Sequence, residues 1–145
     1  MIPIYNAVSP SPSLLLGGQP TESQLLAACD AGFKTVINLR GVGEEGTDWE
    51  PQAVAALGMT YVHIPIAGAA GVNRVNADRL RAAIDAAGDD PMVVHCASGN
   101  RVGALFALLA YEGDAATVET AIEVGRAHGL TGLEPWVRQL LSTLG

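Results

Sequence analysis

A chain of 145 residues, 49% hydrophobic and 16% charged, has the size for one domain and the apolar content for a real core, which argues against disorder. Eight Lys and Arg against fifteen Asp and Glu give a net charge of −7. That argues against a nucleic-acid partner, since phosphate backbones need clustered cations, but not against a small anion held by one Arg and a few backbone N–H groups.

The first dozen residues, with Pro3, Pro10 and Pro12 among serines, predict an irregular lead-in. They carry no Lys or Arg and no long apolar stretch, so no signal peptide is expected. Ser13 to Leu16 is a short apolar stretch that reads as an edge strand, stopped by Gly17 and Gly18. Thr21 and Gln24 form the pattern of a capping box, which predicts a helix from Glu22 to Ala31 with Gly32 as its stop. Lys34 to Leu39 is β-rich and reads as a buried strand. A Gly- and Glu-rich loop from Arg40 to Thr47 follows, and Asp48 is the expected cap of a helix through Val54 to Leu57.

Thr60 to Ile64 predicts the next strand, closed by Pro65, and Ala67 to Val72 a loop of small residues. Asn73 or Asn76 caps a helix through Leu80 and Ile84 to Ala87. Pro91 to His95 is the last expected strand, and a helix runs from Arg101 to Tyr111. Two more helices follow, one from Ala116 to Ala127 and one capped by Thr131 with Glu134 as its capping-box partner, ending at Leu144. Strands alternating with helices predict an α/β fold, a small parallel sheet of about four or five strands with helices on both faces. In such sheets ligands sit beyond the carboxyl ends of the strands.

The segment His95-Cys96-Ala97-Ser98-Gly99-Asn100-Arg101 lies at such an end. Cys96 follows an apolar strand, so its position is rigid. The small residues Ala97, Ser98, Gly99 and Asn100 leave the loop interior open, so that backbone N–H groups can converge on an anion. Arg101 opens the next helix and offers a planar fork of donors to an oxyanion. A helix N-terminus supplies about 0.3–2 kcal/mol toward a thiolate, short of the roughly 3–4 kcal/mol that full ionisation at neutral pH takes. The converging N–H groups and Arg101 are expected to add the rest. Cys29, inside an apolar helix, reads as an inert packing residue.

At this loop the sequence resembles the cysteine-dependent phosphatase superfamily of tyrosine and dual-specificity phosphatases. It is closer still to a bacterial phosphatase-like group related to the beta-lactamase hydrolase-like proteins. The resemblance runs from about Leu15 to Leu109. Its landmarks are Gly18-Gln19-Pro20, Gly32 through Arg40, Tyr61 through Pro65, and His95-Cys96 through Arg101-Val102-Gly103-Ala104. It implies a protein tyrosine phosphatase-like fold, with Cys96 attacking phosphorus and Arg101 holding the phosphoryl oxygens.

Three departures stand against that family pattern. Four residues separate Cys96 from Arg101, where the family has five, and Val102 stands where a Ser or Thr assists the thiolate. The loop Ile66 to Val72 carries no acid, where the family places its Asp. Losing a general acid costs about 10²–10⁴ in rate. Glu44, Glu45 and Asp48 lie on another loop at the same sheet edge and are candidate substitutes, though each also reads as a solvated charge or, for Asp48, a cap. The four-residue spacing is also that of many single-domain rhodaneses, whose sulfur transfer needs no such acid.

Among other candidates, Arg40 ends a strand at the active edge, where it either binds substrate or braces the loop through Glu44 or Glu50. The His95 side chain should point away from the site and position the loop by hydrogen bonds. His63 reads as a satisfied core histidine, and His128 as a favourable cation at a helix end. Trp49 and Trp136 read as packing anchors. The scattered His and Cys residues show no metal-ligand spacing, so neither metal nor cofactor is expected.

The whole chain, 1–145, reads as one phosphatase-like domain. The expected activity is hydrolysis of a phosphate ester through the Cys96 thiolate. The alternatives are a persulfide-forming sulfurtransferase or a catalytically weak anion-binding module. The expected partner is a small anionic or phosphorylated substrate, with no nucleic acid or membrane. Two cysteines without a disulfide framework point to the cytoplasm.

Overall fold

Backbone pairing places β5 (Met92–His95) at the centre of a five-stranded sheet, in the order β1 (Val8–Ser11), β2 (Leu14–Gly17), β5, β3 (Thr35–Arg40), β4 (Thr60–Ile66). The computed structural model describes residues 1–113 and 117–144. Around β5 lie β2 (Leu14–Gly17) and β3 (Thr35–Arg40), both parallel to it, with β4 (Thr60–Ile66) parallel to β3 on the far edge. The helices are α1 (Glu22–Asp30), α2 (Glu50–Ala56), α3 (Arg74–Ala87), α4 (Asn100–Glu112), α5 (Val118–Ala127) and α6 (Glu134–Leu144). A single 3₁₀ turn, Ala69–Gly71, follows β4.

Alternation along the strands divides the core in two. Leu16, Ile37 and Val94 face the layer built from α3 to α6, whereas Leu15, Val36 and Val93 face α1 and α2. The three inner strands, β2, β3 and β5, are buried on both sides, so their sequences read as continuous apolar runs rather than alternating ones.

Several sequence expectations are corrected. The lead-in contains a strand, β1 (Val8–Ser11), paired antiparallel with β2. The strand expected at the edge, β2, is therefore internal. A polar, proline-interrupted segment makes a poor strand alone but is acceptable as an edge strand. Pro65 does not close β4, which continues to Ile66. As the outer strand it pairs only with β3, so the missing N–H of Pro65 can face away from the ladder. His63 is exposed on this edge strand rather than in the core, with Nε2 2.6 Å from the Arg40 carbonyl oxygen.

The helix caps differ in detail. Thr21 and Gln24 form the capping box of α1. Asn73, not Asn76, caps α3. Asp48 caps nothing: Trp49 is the N-cap residue of α2 and makes no side-chain cap bond. Thr117 caps α5, and the expected start at Ala116 lies outside the described residues. Thr131 and Glu134 do not form a capping box. The Thr131 N–H donates to Asn100 Oδ1 at 2.9 Å, and the Glu134 carboxylate pairs with Arg126 and Arg138.

Candidate active site

The segment after β5 turns sharply under the N-terminus of α4. Cys96 is 1% exposed and belongs to the core facing α4. Its N–H donates to the Gly17 carbonyl at 3.1 Å, which fastens it to the end of β2. Gly99, the N-cap residue of α4, has φ 97, a left-handed conformation that a Cβ resists. This turn brings the Gly99 N–H to 3.0 Å from Cys96 Sγ, where it donates to the sulfur.

Outward tethers hold the loop. The Ala97 carbonyl accepts from the Gln19 N–H at 3.2 Å, and the Ser98 carbonyl accepts from Asn6 Nδ2 at 2.9 Å. These bonds commit the Ala97 and Ser98 carbonyls to the segments around Gln19 and Asn6. Gly18 is required by close approach, since a Cβ there would lie 2.4 Å from the Ala97 carbonyl oxygen. Asn100 contributes backbone only. Its side-chain oxygen turns away and accepts from the N–H groups of Thr131 and Leu133 at 2.9 and 3.1 Å.

Arg101 stands on the first turn of α4 and is largely buried. Its Nη1 donates to the Ile66 carbonyl at 2.6 Å and to Glu44 Oε2 at 2.6 Å, while Nη2 donates to Glu44 Oε1 at 3.0 Å. Glu44 is thus neither a solvated charge nor a substitute acid. Hydrogen bonding from Arg101 is the largest influence on it. With the Gly41 N–H and Arg40 it outweighs burial and lowers the carboxyl to about 2. The same pairing raises Arg101 above its ordinary value, with the nearby Cys96 contributing.

Arg40 braces the loop after β3. Its Nε donates to Glu44 Oε1 at 3.1 Å, Nη1 to Gln19 Oε1 at 3.1 Å, and Nη2 to the Glu45 carbonyl at 2.9 Å. Glu50 does not bind Arg40. The His95 ring points to the opposite side of the sheet from the Cys96 sulfur, where its Nε2 meets Glu50 Oε2 at 2.7 Å and its Nδ1 lies 3.3 Å from the Cys96 carbonyl oxygen. Sequence reasoning offered Glu50 as a brace for Arg40 and missed it as the partner of His95. Its one visible signal was an acid directly before Pro51 at a helix start, which reads as an ordinary first-turn charge.

The other sequence candidates lie elsewhere. Exposed Asp48 borders a shallow cleft with Asn38, Tyr61 and His63. Cys29 Sγ contacts the Leu57 carbonyl at 3.4 Å on the α1–α2 side. His128 Nδ1 is 2.7 Å from the Val124 carbonyl, and the ring stacks on Phe106. Trp49 packs in the α1–α2 core, and Trp136 Nε1 donates to the Val72 carbonyl at 3.1 Å. Among the described residues, no helix is long and apolar enough to cross a membrane.

Residues 8–113 match the family model of the phosphatase-like domain of beta-lactamase hydrolase-like proteins. A beta-lactamase hydrolase-like protein of Xylella fastidiosa strain Temecula1 is 30% identical over 120 residues, covering 80% of this chain. The chain spans only 27% of that relative's length. Among solved structures, a DUF442 protein of Shewanella putrefaciens CN-32 superimposes with a TM-score of 0.74 at 23% identity, covering 98% of this chain and 90% of the other. Tk-PTP in its active form gives 0.69 at 17% identity, covering 96% of this chain and 95% of the other. At these identities the two structures establish the fold, an α/β sheet shared with cysteine-based phosphatases.

Proposed function

The chain belongs to the family of phosphatase-like domains of beta-lactamase hydrolase-like proteins, and we propose that it hydrolyses a small phosphate ester, with Cys96 as nucleophile and Arg101 as the clamp on the phosphoryl oxygens. The observation that carries this reading is the Gly99 N–H, 3.0 Å from Cys96 Sγ, beneath a loop whose Ala97 and Ser98 carbonyls are tied outward. The Gly99 N–H holds the sulfur in place at the base of the loop, and the loop backbone is the proposed receiver of the phosphoryl oxygens. The cradle is the backbone of Ala97, Ser98, Gly99, Asn100 and Arg101.

In the proposed reaction the Cys96 thiolate attacks phosphorus and forms an S–P bond. The P–O bond to the leaving group breaks, and its electron pair departs on oxygen. Water then attacks phosphorus, the S–P bond breaks, and the thiolate and inorganic phosphate are released. The loop from Ile66 to Val72 offers no carboxyl to protonate the leaving oxygen, and Glu44 is held ionised by Arg101. Leaving groups that depart readily as anions, such as aryl oxides, are therefore favoured. A small anionic substrate and a cytoplasmic setting belong to the same proposal.

Hydrolysis of 4-nitrophenyl phosphate from mildly acidic to neutral pH, with wild type beside Cys96→Ser, tests it. The expected result is turnover by the wild type that vanishes in the variant. No rate above background in either protein would overturn the proposal and put first the sulfur transfer that the four-residue loop spacing favours.

A further inference from the structure

Two fully buried ionisable side chains, Glu50 and His95, lie behind the Cys96 loop, and the proposed chemistry does not use them directly. A buried carboxylate is unfavourable unless donors meet its oxygens. Both oxygens of Glu50 are met: Gln19 Nε2 donates to Oε1 at 2.5 Å, and His95 Nε2 to Oε2 at 2.7 Å. The negative charge of Glu50 is also felt by Tyr61 on β4. Burial is the main cause that raises the Tyr61 hydroxyl, and Glu50 adds to it against the Asn38 amide.

The contacts continue in both directions. From His95 the other ring nitrogen reaches the Cys96 carbonyl at 3.3 Å. His95 thus spans from the Glu50 carboxylate to the carbonyl of the nucleophile's own residue. From Gln19 the side-chain oxygen accepts from Arg40 at 3.1 Å, Arg40 donates to Glu44 at 3.1 Å, and Glu44 holds Arg101. The path thus leaves the loop at the nucleophile's own carbonyl and returns to it at the guanidinium. Gln19, one of the landmarks in the sequence, is the uncharged link between Glu50 and Arg40. Its side-chain amide suits that place, since it donates to one carboxylate and accepts from one cation.

Resting on the phosphatase reading, we propose that Glu50 and Gln19 are positioning residues which hold the Cys96 backbone and the Arg101 fork in register with each other. Glu50 acts through His95, and Gln19 acts through Arg40 and Glu44. Neither touches the reacting atoms.

The test compares ¹⁵N-labelled wild type, Glu50→Gln and Gln19→Leu by NMR and by steady-state hydrolysis of 4-nitrophenyl phosphate. In both variants the amide signals of Ala97 to Arg101 and the Arg101 Nε signal are expected to shift. The kcat falls by about tenfold or more, the scale of a lost hydrogen bond to a charged group, with KM changing far less. Glu50→Gln and Glu44→Gln are expected to be non-additive in kcat while Gln19 is present, and additive once Gln19 is Leu. A merely structural role would lower the melting temperature yet leave the folded protein's loop signals in place and the cycle additive, and that result overturns the proposal. If the wild type hydrolyses nothing but the loop signals still move, the positioning role stands and the phosphatase reading falls.

Discussion

Glu44 grips both terminal nitrogens of Arg101, with Oε2 2.6 Å from Nη1 and Oε1 3.0 Å from Nη2. The cation at the mouth of the Cys96 loop is thus held by a carboxylate from the loop after β3. The guanidinium has five N–H donors in a fixed plane, so a carboxylate on one edge leaves another edge for an oxyanion. The pairing orients the fork and also lowers its net charge.

Orientation is expected to dominate. Glu44→Gln should lower kcat/KM for an aryl phosphate by about 10–100-fold, the scale of a misplaced positioning contact. The variant should stay folded, because the Glu44 side chain is 27% exposed. Steady-state kinetics read the effect. A rate higher than wild type would mean that Glu44 obstructs the site instead.

The acid behaviour of the clamp follows from sign. Glu44 is lowered from 4.5 to about 2 in the folded protein, chiefly by hydrogen bonding from Arg101. A carboxyl with a depressed folded value stabilises the protein fully above its unfolded value and loses that contribution as pH falls through the folded one. The Glu44–Arg101 pair should therefore persist through mildly acidic solution and weaken only between about 4.5 and about 2. Thermal melts of wild type and Glu44→Gln across that range should converge toward its lower end. Convergence already at neutral pH would contradict the pairing.

Asn100 separates backbone from side chain within the loop. Its Oδ1 accepts from Thr131 and Leu133, ahead of α6, and has no place in the anion cradle. Asn100→Ala should cost about 0.5–1.5 kcal/mol of stability, the net scale of a hydrogen bond to donors that water can partly reach. In urea melts the midpoint should fall, while KM for an aryl phosphate should stay near that of wild type. A large rise in KM with unchanged stability would place the side chain at the substrate instead.

Much of the fold was legible because its signals are local. The strands around Val36, Val62 and Val93 and the Thr21–Gln24 capping box depend on residues a few positions apart. β1 was not legible, because its pairing with β2 comes from backbone contacts that a Pro- and Ser-rich segment does not announce. Asp48 and Thr131 carry capping chemistry in their side chains, but the chain's path gave the first no helix to cap and diverted the second's N–H to Asn100.

The sequence by itself determined the chemistry at hand: a cysteine after an apolar strand, small residues that leave the backbone free, and an arginine on the next helix. Those depend on covalent order and short-range geometry. Which acids serve that loop was decided only by tertiary structure. Glu44 and Glu50 lie 57 and 45 residues from Arg101 and His95, and identical side chains six positions apart reach opposite ends of the same hydrogen-bonded path. Burial turned one of them into the partner of a histidine with no solvent access, and the loop after β3 turned the other onto a guanidinium. Long-range pairing of charges depends on where the folded chain brings them, which neither composition nor periodicity encodes.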